Sequence, residues 1–214
     1  VYSYSDTKED LLKYKGSKYS HSFIGEIYKK IKYFLEIGKE VLFVGTPCQV
    51  DGLKKFLLKS YENLITIDII CHGMPSQKYL DEYIEEIEKT VGKKVTNLTF
   101  RGRENFKFTL YNDKEIIYSK PSNEDNYFYG FLSGIFYRDS CYKCKYARKE
   151  RVSDITIGDF WEIGKNVPFE HKDKDLGVPV VLINTEKGKK LFDNLIHKIK
   201  MNVTSQLLFK INYI

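Results

Sequence analysis

The sequence predicts an α/β fold: a mainly parallel central sheet with flanking helices and a small antiparallel insertion. Three observations carry this. Two short apolar runs, residues 41–44 and 64–70, are rich in β-branched and aromatic side chains and stop at turn signals, as strands buried on both faces do. Around them lie stretches with an apolar residue every three or four positions, the period of an amphipathic helix. From Val95 to Tyr118 the period drops to two (Leu98, Phe100; Phe106, Phe108, Leu110), which marks half-buried antiparallel strands.

The elements follow in order. Residues 22–37 read as a helix, with Ile24, Ile27, Tyr28, Ile31, Phe34 and Leu35 at helical spacing and Gly38 where a C-terminal cap belongs. The strand 41–44 ends at Gly45-Thr46-Pro47-Cys48, and a second helix follows through Val50, Leu53, Phe56 and Leu57. The strand 64–70 then ends at Cys71-His72-Gly73, closing a strand–helix–strand unit whose strands are parallel. Pro75 and Ser76 open a third helix, with Leu80, Tyr83, Ile84 and Ile87 on one side and Gly92 after it. Beyond the antiparallel insertion, residues 125–136 are aromatic-rich and partly helical, and Cys141-Tyr142-Lys143-Cys144 falls in a loop before a basic stretch. Residues 154–160 read as a strand, and the polar stretch 163–177 as a mobile connection. A late strand (178–184) and a closing helix (186–200, with Leu191, Leu195, Ile196 and Ile199) complete the chain.

Composition narrows the class. Of 214 residues, 42% are hydrophobic and 30% charged, so a real core is expected and intrinsic disorder is not. Basic residues number 35 against 29 acidic, a net charge of +6, and the lysines are spread rather than massed; that excludes a dedicated nucleic-acid binder. No apolar run approaches the ~20 residues of a membrane span, and no signal-peptide core opens the chain, so a cytoplasmic location without a membrane span is expected. The first residue is Val1 rather than Met, and the chain is read as a fragment of a longer one.

The four cysteines are Cys48, Cys71, Cys141 and Cys144. In a reducing compartment four thiols point to a metal or an iron–sulfur cluster before disulfides. Cys48 and Cys71 each follow a strand of the same crossover unit, and α/β sheets bind ligands outside the carboxyl ends of their strands. Neighbouring strands lie ~4.8 Å apart, so two such thiols can face one ligand. The Cys-x-x-Cys turn at 141 and 144 aims two more sulfurs at one point. Together they make the Cys₄ set of a [4Fe–4S] cluster. Spacing leaves the alternatives open: a structural zinc site, although such sites usually bring two Cys-x-x-Cys knuckles; a redox disulfide between Cys141 and Cys144; or unrelated core cysteines.

Other residues bear on a cofactor. Gly45-Thr46-Pro47 lies between strand and helix, where backbone N–H groups can hold a pyrophosphate, although it is not a G-x-G-x-x-G turn and the chain has no P-loop. Thr46 and Gln49 either reach such a ligand or cap the helix. Gly16, Ser17, Lys18 and Tyr19 form a basic, hydroxyl-bearing loop that suits a phosphate or a plain surface turn. Lys143, Lys145, Arg148, Lys149 and Arg151 surround the last two cysteines with positive charge, which would raise a cluster's potential, meet an acidic partner or simply be solvated. His72 adjoins Cys71, and Phe160 and Trp161 lie past a strand end where they could meet a cofactor. Asp154 and Asp159 read as turn residues rather than catalytic acids.

These residues, in order, resemble the coenzyme F420 hydrogenase/dehydrogenase beta-subunit family. The stretches that carry the resemblance are Gly16-Ser17-Lys18-Tyr19, Val44-Gly45-Thr46-Pro47-Cys48-Gln49 with Gly52-Leu53, Cys71-His72-Gly73-Met74-Pro75-Ser76, Phe100-Arg101, Arg138-Asp139-Ser140-Cys141-Tyr142-Lys143-Cys144 and Ser153-Asp154-Ile155-Thr156-Ile157-Gly158-Asp159-Phe160-Trp161. The resemblance spans roughly residues 14–184. It implies a single domain over 1–214 with the antiparallel insertion at 95–118, and an iron–sulfur flavoprotein oxidoreductase that passes electrons between a [4Fe–4S] cluster, FAD and an external acceptor such as a deazaflavin, coenzyme F420. It implies Cys48, Cys71, Cys141 and Cys144 as cluster ligands, and Gly16, Ser17, Lys18, Tyr19, Gly45, Thr46, Pro47 and Gln49 as flavin-lining residues. No catalytic acid or base is assigned, because the cofactors carry the chemistry. The Cys-x-x-Cys-x-x-Cys run found upstream in family members is absent from this sequence, so a redox partner protein or a ferredoxin-like domain is the expected partner. The region 101–118 is short for the family, which bears on acceptor docking. The reading from a different class is a non-catalytic Cys₄ module, stabilised by zinc or a cluster, that binds a partner.

Overall fold

The computed structural model describes residues 2–11, 14, 16–101, 106–161, 163–164 and 177–196. In chain order the elements are α1 (Lys8–Leu11), α2 (Ile27–Glu36), β1 (Val41–Gly45), α3 (Pro47–Leu57), β2 (Leu64–Ile69), α4 (Gln77–Val91), β3 (Asn97–Thr99), β4 (Lys107–Asn112), β5 (Glu115–Pro121), α5 (Asn126–Leu132), α6 (Asp139–Tyr142), β6 (Ile155–Asp159), β7 (Pro179–Ile183) and α7 (Glu186–Ile196). They divide into two compact units, one made of Val1–Lys32 and Cys71–Ala147, the other of Tyr33–Ile70 and Arg148–Ile214.

The unit containing Tyr33–Ile70 carries the expected parallel sheet. Its strand order is β1-β2-β6-β7, with β1, β2 and β6 parallel and β7 antiparallel on β6. The crossover helix α3 buries Val50, Leu53 and Leu57 at helical spacing, and Phe43 and Leu64 are buried on the strands it contacts. Each such side chain contributes about 1.5–3 kcal/mol by leaving water. A polar knot lies beside this core. Asp154, just before β6, accepts from the Thr66 N–H (2.8 Å) and the Thr66 hydroxyl (2.7 Å) at Oδ2, and from the Thr185 hydroxyl (2.8 Å) at Oδ1. Burial by itself would raise the Asp154 pKa, but these hydrogen bonds, with the Lys54 charge, hold it below the usual carboxylate range. Gly188 of α7 lies against the Asp154 carbonyl so closely that a Cβ has no room there.

The other unit packs α4 and α5 on the antiparallel sheet β3-β4-β5. Leu80, Ile87, Phe100, Phe108, Leu110, Tyr127, Phe128 and Phe131 form one core cluster. The buried carboxylate of Asp125 caps α5 through the Phe128 N–H (2.7 Å) and accepts from the Tyr83 and Tyr118 hydroxyls (2.8 and 3.0 Å). Burial first, and then that carboxylate with the paired phenol, drives Tyr83 far above the ordinary phenol range. The net effect of burial, the Tyr83 contact and Asp125 pushes Tyr118 up to about 12.

The structure refines several boundaries. The helix expected over 22–37 starts only at Ile27, because Gly25 adopts a left-handed φ of 55° just before it. The insertion runs to Pro121 and forms a sheet of its own. Cys141, expected in a loop, stands on the single turn α6, which Arg138 opens: the Cys141 N–H donates to the Arg138 carbonyl at 2.7 Å. Most of the polar stretch 163–177 and the end of the closing helix, 197–200, lie outside the described residues.

Candidate cofactor site

In the unit that contains Cys71–Ala147, two segments are laced together. Pro75 forms an antiparallel bridge with Tyr137, and the Arg138 N–H donates to the Met74 carbonyl at 3.0 Å. This brings the Cys141 thiol to 3.9 Å from the same Met74 carbonyl. Tyr137 is the centre of the arrangement. Its hydroxyl donates to the Phe131 carbonyl (2.7 Å), and its N–H donates to the Tyr142 hydroxyl (2.9 Å). Burial first, then the Cys71 thiol, Tyr142 and the Cys141 thiol, push the Tyr137 phenol up to about 12. Two of the four sulfurs thus act on one ring. The His72 ring lies edge-on to Phe131 and Tyr137, and its Nε2 is 3.0 Å from the Leu132 carbonyl. That contact satisfies the histidine locally.

Gly73 lets this happen. Its φ is 131°, and a Cβ there would lie 2.6 Å from the Tyr137 ring. Alanine would meet both a disfavoured backbone and a ring held in place by its hydroxyl's hydrogen bond to the Phe131 carbonyl. The expected result for Gly73→Ala is a loss of about 3 kcal/mol, read as a lower urea midpoint.

In the unit containing Tyr33–Ile70, the turn Thr46-Pro47-Cys48-Gln49 opens α3 as a capping box. Gln49 Oε1 accepts from the Thr46 N–H and from the Thr46 hydroxyl, both at 2.9 Å. The Thr46 hydroxyl also lies 3.1 Å from Cys48 Sγ, and the Cys48 side chain is exposed beside buried Thr46, Pro47 and Gln49. Pro47 has no N–H, and the Gln49 N–H goes to the Thr46 carbonyl at 3.0 Å, so much of this helix opening's donor capacity is used within the cap.

Among the remaining sequence candidates, Gly16 takes a φ of 92°, and the Lys18 ammonium donates back to the Tyr14 and Gly16 carbonyls at 3.4 and 3.2 Å. The Tyr19 ring is stacked on Phe131 with centroids 4.6 Å apart, within the aromatic core rather than on a surface loop. Lys143, Lys145, Arg148 and Lys149 are exposed. Arg151 is not one of them: its side chain is only 8% exposed and lies 3.1 Å from the fully buried Asp68. Trp161 is 65% exposed. Sequence reasoning passed over Tyr137, Asp68 and the buried state of Arg151. A signal for Asp68 was present, as a charge inside an apolar strand run.

All four cysteines are free thiols, Cys48 and Cys144 exposed, Cys71 and Cys141 half-buried. Among the described residues no three His, Cys, Asp or Glu side chains are gathered so as to hold a single metal ion. Among the same residues no helix is long and apolar enough to cross a membrane.

Residues 38–206 match the family model for the C terminus of the coenzyme F420 hydrogenase/dehydrogenase beta subunit. The chain belongs to this family. A solved chain from the F420-reducing [NiFe] hydrogenase complex of Methanosarcina barkeri, studied by xenon derivatisation, shares the fold with a TM-score of 0.53 at 19% identity. The match covers 91% of the present chain and 60% of that one, so this F420 hydrogenase/dehydrogenase beta-subunit homologue spans less than two thirds of its structural relative. No curated protein gives a significant match.

Proposed function

We propose that this chain is an iron–sulfur flavoprotein oxidoreductase, or an electron-transfer subunit of one, related to the F420-reducing beta subunits. In this reading Cys48, Cys71, Cys141 and Cys144 hold a [4Fe–4S] cluster. Gly16, Ser17, Lys18, Tyr19, Gly45, Thr46, Pro47 and Gln49 contribute to an FAD site, and the external acceptor is a deazaflavin such as coenzyme F420 or another two-electron carrier. The observation that carries it is the donor set: four free thiols, two of them sharing the neighbourhood of Tyr137, in a chain of this family. Four thiolates are what a [4Fe–4S] cluster takes, one sulfur to each iron, whereas a lone zinc asks its ligands to converge on one point. When bound, the cluster supplies single-electron transfer and the flavin the conversion to hydride transfer.

The chain's own residues have identifiable work. Tyr137 closes over the buried Gly73 next to Cys71, and the Thr46 hydroxyl, 3.1 Å from the Cys48 sulfur, can turn from Gln49 Oε1 to donate there once that sulfur is a thiolate. Hydrogen bonds to ligand sulfurs and nearby cations raise a cluster's potential; Lys143 and Lys145 flank the Cys144 ligand in sequence. A redox partner protein, or a ferredoxin-like domain, would supply or accept the electrons. Anaerobic purification tests the reading. Brown protein with a broad absorbance that bleaches on dithionite, iron and sulfide in equal amounts, and flavin in the acid extract are expected. Colourless protein carrying one zinc per chain would replace it with a metal-stabilised binding module.

A further inference from the structure

We infer that the buried Asp68–Arg151 ion pair positions the segments that carry the cysteines, rather than serving as a stabilising contact; this rests on the cluster reading above. Asp68 is fully buried and its Oδ1 lies 3.1 Å from Arg151 Nη2. Among the described residues neither Asp68 oxygen accepts an aligned hydrogen bond, so the carboxylate has lost its water and gained only a charge contact. Pairs buried on such terms are often no more stable than an apolar replacement. Stability is a poor reason for keeping this one.

Its place gives a better reason. Asp68 is the penultimate residue of β2, three positions before Cys71, and stands in register beside Gly45, three positions before Cys48. On its other side it is in register with Thr156 of β6. Arg151 donates through Nη2 to the Ile69 carbonyl (3.1 Å) and through Nε to the Thr156 hydroxyl (3.2 Å), which the Asn184 amide also reaches at 3.0 Å. The chain leaves this unit after Ile70, passes through Cys71, Cys141 and Cys144, and re-enters it at Arg148. One guanidinium thus ties the departing end of β2 to the returning chain. A slip of one residue at the end of a strand turns the following side chain to the opposite face. Fixing the register here fixes which way the Cys71 and Cys48 turns are presented.

The test uses the full chain, loaded with iron and sulfide anaerobically. In the double variant Asp68→Leu/Arg151→Met, an apolar pair replaces the charges. Its metal-free unfolding midpoint is expected to stay near that of the parent. Its cluster should lose iron to a chelator about ten-fold faster, with an altered EPR spectrum after reduction. Parent-like iron retention and spectrum in the double variant would overturn the inference. If that variant does not fold, Arg151→Lys keeps the charge but loses the fork to Ile69 and Thr156; the same faster loss is expected, and unchanged retention overturns the inference equally. A parent chain that takes up no iron overturns the cluster reading itself, a result separable from iron-loaded variants beside an iron-loaded parent.

Discussion

Cys71→Ser is expected to strip the chain of its cluster. Serine is nearly the same size, so the half-buried position is filled and metal-free stability should change by less than about 1 kcal/mol. What changes is the donor. A thiol binds iron as the soft thiolate and releases its proton on binding, whereas an alcohol keeps its proton at neutral pH and is a poor ligand for a sulfide-bridged cluster. Iron per chain after reconstitution should fall to below about a tenth of the parent value, at the level seen when metal-site support is removed. The brown absorbance should go with it. Cys141→Ser should behave alike, because Cys141 belongs to the same proposed set of four thiol ligands. Full iron content in either variant would remove that cysteine from the ligand set.

A stability effect as large as that at Gly73 is expected at Asp154. Replacing it with Asn keeps the size but puts an amide NH₂ where one carboxylate oxygen had accepted. Three donors converge on the native carboxylate: the Thr66 N–H, the Thr66 hydroxyl and the Thr185 hydroxyl. At least one donor would face the NH₂ group, and the remaining bonds would lose their ionic character. Hydrogen bonds to charged groups contribute about 1.5–3 kcal/mol each, so a loss of about 3 kcal/mol is expected. That is about 6–12 °C of unfolding midpoint for a chain of this size. The variant also tests the sign of a pH effect. The Asp154 pKa is held down in the folded state, so its contribution is complete above the unfolded carboxylate value of ~3.9 and is lost as pH falls through the lower folded value. Urea midpoints measured from pH 6 downward should therefore converge for parent and variant in acid. Parallel curves would show that Asp154 does not titrate with folding.

Much of the fold could be read from local pattern. The run at 64–70 declared a strand because its side chains are aliphatic on alternate and adjacent positions alike, and β2 is Leu64–Ile69. The alternation at Phe106, Phe108 and Leu110 announced antiparallel strands, whereas the turn between β4 and β5, where Asp113 takes a φ of 51°, was seen only in the structure. The Cys141 turn was missed as a helix because four residues give no period to detect; the Arg138 carbonyl, acting at short range, settles it. Thr46 and Gln49 illustrate the same limit within the candidate site. Three residues apart, they suit a phosphate contact and a capping box equally well, and only the coordinates show the side chains spent on each other.

By itself the sequence determined the α/β class, the crossover unit, the antiparallel insertion and the cysteine positions at strand and turn ends, because hydrophobic period and turn chemistry act over a few neighbouring residues. Tertiary structure alone decided that Arg151 belongs to a buried carboxylate rather than to the exposed basic stretch, that Tyr19 is core, and that Tyr137 closes over Gly73. Those outcomes depend on partners 60 to more than 100 residues away in the chain (Asp68 for Arg151, Phe131 for Tyr19, Gly73 for Tyr137). A lone charge in an apolar run can be seen locally, but which distant charge or ring it meets leaves no local trace.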